Sequence, residues 1–178
     1  YCMDLSSQAL AFGEDIFLSV AARLQCEPWK IIRVKGNFGS SIKQKADLVT
    51  TANLFNELQE KSKPQEIKNS TEGIPPDYLS KIYTDRIQEY LNQENDKASV
   101  IVIEPGDPRS ARLISLMRAS FMRKKFFPMA PCTHCNECPM EGKKGGKWCN
   151  FAFTTEDAPR ELKKLSERSE LPKERAVL

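Results

Sequence analysis

Four cysteines fall within the eighteen residues from Cys132 to Cys149, spaced C-x2-C-x2-C-x10-C. No other feature of this chain restricts its folding as much. Spacers of two residues let the backbone curl so that several sulfurs converge on one point. Zinc takes four such ligands in a tetrahedron. A cubane iron–sulfur cluster takes one thiolate per iron and is often gathered from a C-x2-C-x2-C run. The spacing makes Cys132, Cys135, Cys138 and Cys149 candidate metal ligands, with reduced buried thiols or a disulfide pair as the alternative. His134 lies inside the run, where a histidine can be a ligand or only a neighbour. Cys2 and Cys26 fall in strand and helix patterns and read as packed thiols. Six cysteines without a signal-like start point to a reducing compartment and to metal, not to a secreted disulfide framework.

Charge gives the second constraint. The chain has 178 residues and a net charge of +3. Between Pro105 and Cys149, nine Lys/Arg face three acids, so the remainder is net acidic. A local basic block suits a polyanionic partner. The block holds Arg109, Arg112, Arg123, Lys124, Lys143, Lys144 and Lys147 as candidate polyanion-contacting cations. A solvated charged face is the plainer reading. No run approaches the roughly 18 apolar residues of a membrane span.

Periodicity supplies the fold class. Tyr1 to Asp4 reads as a strand end whose beginning lies upstream. Ser6 or Ser7 caps a helix from about Gln8 to Gln25, with Ala9, Phe12, Ile16, Val20 and Leu24 on one stripe and Pro28 as its stop. Strands follow at 29–34 and 46–52, then a short helix at 54–61 with Leu54 and Leu58 facing in. The stretch 63–76 is a polar connector. Asp77 opens a helix reaching Leu91, with Leu79, Ile82, Ile87 and Leu91 apolar. Val100 to Ile103 reads as a strand covered on both faces. A helix from Arg109 to Lys125 should lay Leu113, Ile114, Met117 and Phe121 on the sheet and turn its basic side outward. Strands at 126–130 and 151–153 and a charged tail from Glu156, helical near 160–168 and then frayed, complete the chain. Alternating strands and helices predict an α/β fold with a mainly parallel sheet. Ligands in such sheets bind beyond the strand carboxyl ends, which makes Asp4, Asn53 and Glu104 candidate cofactor-binding residues. Each is equally open to a turn or capping role. The expected division is a partial α/β domain at 1–130, a metal-binding loop at 131–151 and a charged segment at 152–178.

Four segments resemble the methyltransferase-like family associated with the bacterial and mitochondrial small ribosomal subunit. They are Asp4-Leu5-Ser6; Ala46-Asp47-Leu48-Val49 running on to Leu54-Phe55-Asn56-Glu57-Leu58; Val102-Ile103-Glu104-Pro105-Gly106-Asp107-Pro108 with Arg109 and Arg112; and Ala130-Pro131-Cys132-Thr133-His134 with Cys138-Pro139-Met140, Trp148-Cys149-Asn150-Phe151 and Lys173-Glu174-Arg175. The resemblance implies a Rossmann-like class I methyltransferase sheet binding S-adenosylmethionine, a cysteine-bound [4Fe-4S] cluster, and work on ribosomal RNA in small-subunit assembly. Its motifs map onto Cys132, Cys138 and Cys149. Cys135, which sits where that pattern has no cysteine, is added from spacing alone. Asn150 stands where the pattern has His. No Gly-rich cofactor turn precedes Asp4, and no Asn/Asp-Pro-Pro-aromatic catalytic run occurs, so catalytic residues are not assigned.

Two functions follow as expectations. One is methyl transfer from S-adenosylmethionine to ribosomal RNA. The other is a non-catalytic assembly factor that binds RNA and keeps an iron–sulfur or zinc centre as a brace. The expected partner is ribosomal RNA or the small subunit, with no membrane and no DNA. The expected location is the bacterial cytoplasm, which is favoured, or the mitochondrial matrix.

Overall fold

The computed structural model describes residues 1–61, 75–140, 142, 146–151 and 176–177. The chain divides into two compact units, Tyr1–Lys45 and Ala46–Leu178.

The first unit begins with β1 (Cys2–Asp4), followed by α1 (Ser7–Arg23) and β2 (Arg33–Lys35). Ser6 caps α1, its hydroxyl accepting from the Ala9 amide. The helix stops before Pro28. Gln25 takes a left-handed φ of 53°, and the amides of Gln25 and Cys26 donate to the carbonyls of Ala22 and Ala21. This is the Schellman closure, built here without glycine. β1 and β2 pair in parallel, Met3 opposite Val34. Gly36 ends β2 because the chain doubles back there: a Cβ would lie 2.5 Å from the Ser40 hydroxyl. The expected apolar stripe of α1 is not its buried face. Leu10 and Ala21 are buried, while Phe12 is 68% and Leu24 65% exposed. Cys26 is also exposed rather than packed.

In the second unit β3 (Leu48–Ala52) pairs in parallel with β4 (Ser99–Pro105), Thr50 opposite Ile101. β5 (Ala176–Val177) adds an antiparallel pair to the end of β4, where a frayed end was expected. Ala46, assigned to the strand by sequence, instead makes an isolated bridge to Leu91. β4 is not covered on both faces, since Ile101 is 45% exposed. Three helices belong to this unit: α2 (Leu54–Lys61), α3 (Pro76–Tyr90) and α4 (Pro108–Arg123). α3 starts with Pro76 at its first position, and Asp77 makes no capping bond. Proline suits that position because the missing N–H would be unpaired there anyway. Asp107 caps α4, accepting from the amides of Arg109 and Ser110 and from the Ser110 hydroxyl. The helix closes through Lys125 (φ 67°), with the Lys125 and Phe126 amides donating to Met122 and Phe121.

α4 packs mainly on α3 rather than on the sheet. Leu113 and Met117 meet a core that includes Phe55, Leu79, Tyr83, Ile87 and Leu91. Within it Thr84 and Ser120 share a buried hydrogen bond of 2.7 Å across the two helices. Phe55 stacks at 4.7 Å from Tyr83 and is fully buried, so it, more than Leu54 or Leu58, anchors α2. No strand forms at 126–130. Most of the 63–76 connector, the 160–168 helix and all but Phe151 of the 151–153 strand lie outside the described residues. No described helix is long and apolar enough to cross a membrane.

Candidate functional site

The end of β4 is where the second unit concentrates its chemistry. Glu104 is 1% exposed. Its Oε1 accepts from the Phe55 amide at 2.9 Å and its Oε2 from the Asn56 amide at 3.0 Å. The Leu54 amide also interacts with it. A strand-end acid thus caps the first turn of α2, whose free N–H groups favour negative charge. Burial pushes the Glu104 carboxyl above its ordinary range, and Asp107 adds to this. The backbone hydrogen bonds from Phe55, Asn56 and Leu54 oppose the rise. Asn53 sits beside this cap with a left-handed φ of 53°, its amide donating to the Ile103 carbonyl. So Asn53 and Glu104 meet, in turn and capping roles. Asp4 belongs to the first unit, where its carboxylate accepts from the Ser6 amide at 2.7 Å.

Beyond Glu104 the chain carries the cysteine segment. Gly106 is buried, and its carbonyl accepts from Trp148 Nε1 at 3.1 Å. Gly142 has φ 67°, and a Cβ there would lie 2.6 Å from the Pro108 carbonyl oxygen and 3.1 Å from the Arg112 amide nitrogen. Arg118 Nη1 donates to the Asn136 carbonyl at 3.0 Å and Nη2 to the His134 carbonyl. His134 Nδ1 accepts from the Asn136 amide, which closes a small turn around Cys135. The cysteine segment is therefore fastened to Gly106 just before α4, to the first turns of the helix at Pro108 and Arg112, and to Arg118 in its second half.

All six cysteines are free. Cys132, Cys138 and Cys149 are half-buried and Cys135 is exposed. Burial raises the Cys149 thiol pKa, and the charges of Cys138 and Cys132 raise it further. Among the described residues no three His, Cys, Asp or Glu side chains are arranged so that they could hold a metal ion. In donor chemistry alone, thiolates are soft and suit a thiophilic metal or an iron–sulfur cluster.

The basic residues separate into two kinds. Arg109, Arg123 and Lys147 are exposed. Lys124 is half-buried, paired with Asp85 and bonded to Gln88 Oε1 at 2.9 Å. It ties the end of α4 to α3. Arg112 is half-buried, with Nη1 buried and making no hydrogen bond among the described residues. Lys143 and Lys144 lie outside the described residues.

The sequence profile of a family described as mitochondrial small ribosomal subunit Rsm22 matches residues 79–175, more than half of the chain. The chain belongs to this family. Membership in the Rsm22 family ties it to the small ribosomal subunit, as the resemblance implied. The description is mitochondrial, which fits the matrix and gives no support to the cytoplasmic preference. The matched span holds most of α3, all of β4 and α4, and the cysteine segment. No curated protein and no solved structure matches the chain.

Arg118 and Trp148 are the site residues that sequence reasoning passed over. Arg118 had a signal. It lies one turn from both Ile114 and Met122, on the apolar side of α4, where an arginine needs a reason to be.

Proposed function

We propose that this chain is the RNA-docking part of a small-subunit assembly protein, in which a metal centre at Cys132, Cys138 and Cys149 braces the cysteine segment against α4. A [4Fe-4S] cluster is the favoured centre and zinc the alternative. Bound to three or four thiolates, such a centre supplies a cross-link that replaces thiolate repulsion with coordination. The chain's own residues do the rest. Arg109, Arg123 and Lys147 offer exposed positive charge. Arg118 and Trp148 hold the segment to the helix that carries two of those charges.

One observation supports this reading above the others. Both oxygens of Glu104, the acid at the centre of the second unit's strand ends, are already engaged by the α2 amides. That residue is therefore spent on the fold rather than held ready for a cofactor. The test is the affinity of the full-length protein for small-subunit RNA as salt is raised. Three phosphate contacts predict a slope of log K against log salt of about −2 to −3. An affinity that does not change with salt overturns the reading.

Methyl transfer from S-adenosylmethionine is the second reading. It is favoured by parallel strand pairing within each unit, β1 with β2 in the first and β3 with β4 in the second, the pairing that a class I methyltransferase-like sheet uses. Calorimetry of the metal-loaded full-length protein with S-adenosylmethionine tests it, and absence of binding sinks it.

A further inference from the structure

The chain leaving α4 alternates in exposure. From residue 123 to 129, Arg123, Lys125, Phe127 and Met129 are exposed, while Lys124, Phe126 and Pro128 are half-buried. Two of the half-buried members hold the segment in place. Lys124 pairs with Asp85 and bonds to Gln88 on α3. The Phe126 ring meets Phe121 edge-on at 5.4 Å, and its amide donates to the Phe121 carbonyl. The exposed members are thereby displayed from a fixed backbone. Phe127 is 77% and Met129 78% exposed, more than any other large apolar side chain among the described residues. An apolar side chain exposed singly needs no explanation, but this ring follows two exposed cations. Arg123 and Lys125 make no ion pair among the described residues. The C-terminal end of a helix carries about half a negative charge, which the two cations outweigh, so the surface attracts an anion. An exposed aromatic face beside positive charge is how proteins take up unpaired nucleotides: the base stacks on the ring and the phosphate meets the cation. Residues two apart lie within about 7 Å along the chain, so Lys125 and Phe127 can serve one nucleotide. A protein interface would instead set its aromatic anchor among apolar neighbours, away from lysine.

We propose that Phe127 is a stacking platform for an unpaired RNA base, with Arg123 and Lys125 as contacts to the neighbouring phosphates. The proposal rests on the RNA-docking reading above and deepens it, and it needs no metal. It names the ligand as single-stranded RNA, because in a duplex the base faces are covered by their neighbours. Loss of a stacking ring weakens single-strand binding by about five- to a hundred-fold. It leaves the salt slope alone, because a phenyl ring neutralises no phosphate.

The test uses the full-length protein as wild type, Phe127→Ala, Phe127→Leu and Phe127→Tyr. At 77% exposure none of these changes should move the urea midpoint. Anisotropy titrations across a salt series read affinity for a mixed-sequence single-stranded RNA oligonucleotide and for the blunt duplex of the same sequence. The wild type should prefer the single strand. Phe127→Ala should bind the single strand about five- to a hundred-fold more weakly, with its salt slope and its duplex affinity unchanged. Phe127→Leu should fall with it, since it keeps apolar area but has no aromatic face, and Phe127→Tyr should bind like the wild type. Wild-type single-strand affinity in Phe127→Ala or Phe127→Leu overturns the stacking role and leaves RNA docking standing. A wild type that prefers the duplex, or an equal loss on both RNAs, overturns it as well. A Phe127→Ala protein that keeps its RNA affinity but no longer sediments with the small subunit assigns the ring to a protein neighbour and overturns it likewise. A wild type whose RNA affinity does not change with salt overturns the docking reading itself, and this proposal with it.

Discussion

Replacing Glu104 with alanine removes a side chain that caps α2, and its effect can be estimated from the cap's geometry. Two hydrogen bonds, at 2.9 and 3.0 Å, and the Leu54 interaction are lost together. Hydrogen bonds to a charged group contribute roughly 1.5–3 kcal/mol each, and a lost helix cap typically costs ~1 kcal/mol. Against this stands relief of the buried carboxylate, whose raised pKa says that burial outweighs the hydrogen bonds. The net loss expected at pH 7 is about 2 kcal/mol, read as a lower urea midpoint with an unchanged slope. pH sharpens the test. The folded pKa lies above the ordinary 4.5, so between those values the folded state binds more protons than the unfolded. Stability from this group is then full below 4.5 and declines as pH rises through the folded pKa. The gap between wild type and Glu104→Ala should therefore be widest in acid and shrink towards neutrality. A gap that widens with pH would show that the hydrogen bonds win over burial. A variant within 0.5 kcal/mol of wild type throughout would refute the capping argument.

Gly142→Ala should lower stability by about 2 kcal/mol, since it combines a left-handed φ with a backbone clash at Pro108; an unmoved urea midpoint would refute the close approach. Arg123→Ala should weaken RNA binding evenly across sequences and reduce the salt slope by about 1 in anisotropy titrations. Lys124→Ala should leave that slope unchanged and instead cost ~1 kcal/mol of stability, because its partner is Asp85 and the pair is partly exposed.

The sequence located α2 and α4 almost to the residue, because both follow a strand and a turn with strong signals: Asn53, and Pro-Gly-Asp-Pro at 105–108. It ran α1 and α4 on to Gln25 and Lys125, two residues past their ends at Arg23 and Arg123, because both residues close their helices in the left-handed conformation that sequence rules reserve for Gly or Asn. It missed Phe55, because counting apolar spacing from Leu54 and Leu58 puts the inward face one residue off; the cap at Glu104, 49 residues away, sets that face. The acid at Glu104 was legible as important, but ligand-holding and capping use the same carboxylate at the same strand end. The cysteine density stood out at once. Spacing alone treats Cys135 and Cys138 alike, whereas Cys138 is half-buried and Cys135 exposed. The difference between Lys124 and Arg123 is likewise tertiary: Asp85 and Gln88 lie on another helix.

The stretch from Glu104 to Arg118 joins the two halves of the second unit's chemistry. Glu104 fixes α2, Asp107 starts α4, Gly106 receives Trp148, Pro108 and Arg112 leave room only for glycine at 142, and Arg118 grips the cysteine turn. A metal at the cysteines would therefore act on this stretch through fixed contacts rather than through a free arm. Arg109 and Arg112 belong to the same stretch, and Lys147 adjoins Trp148. Loss of metal should then disturb how those cations are presented without any of them being a ligand. On this geometry RNA affinity should follow metal content even if the metal never touches RNA. A metal-free protein that keeps both its affinity and its salt slope would separate the two functions.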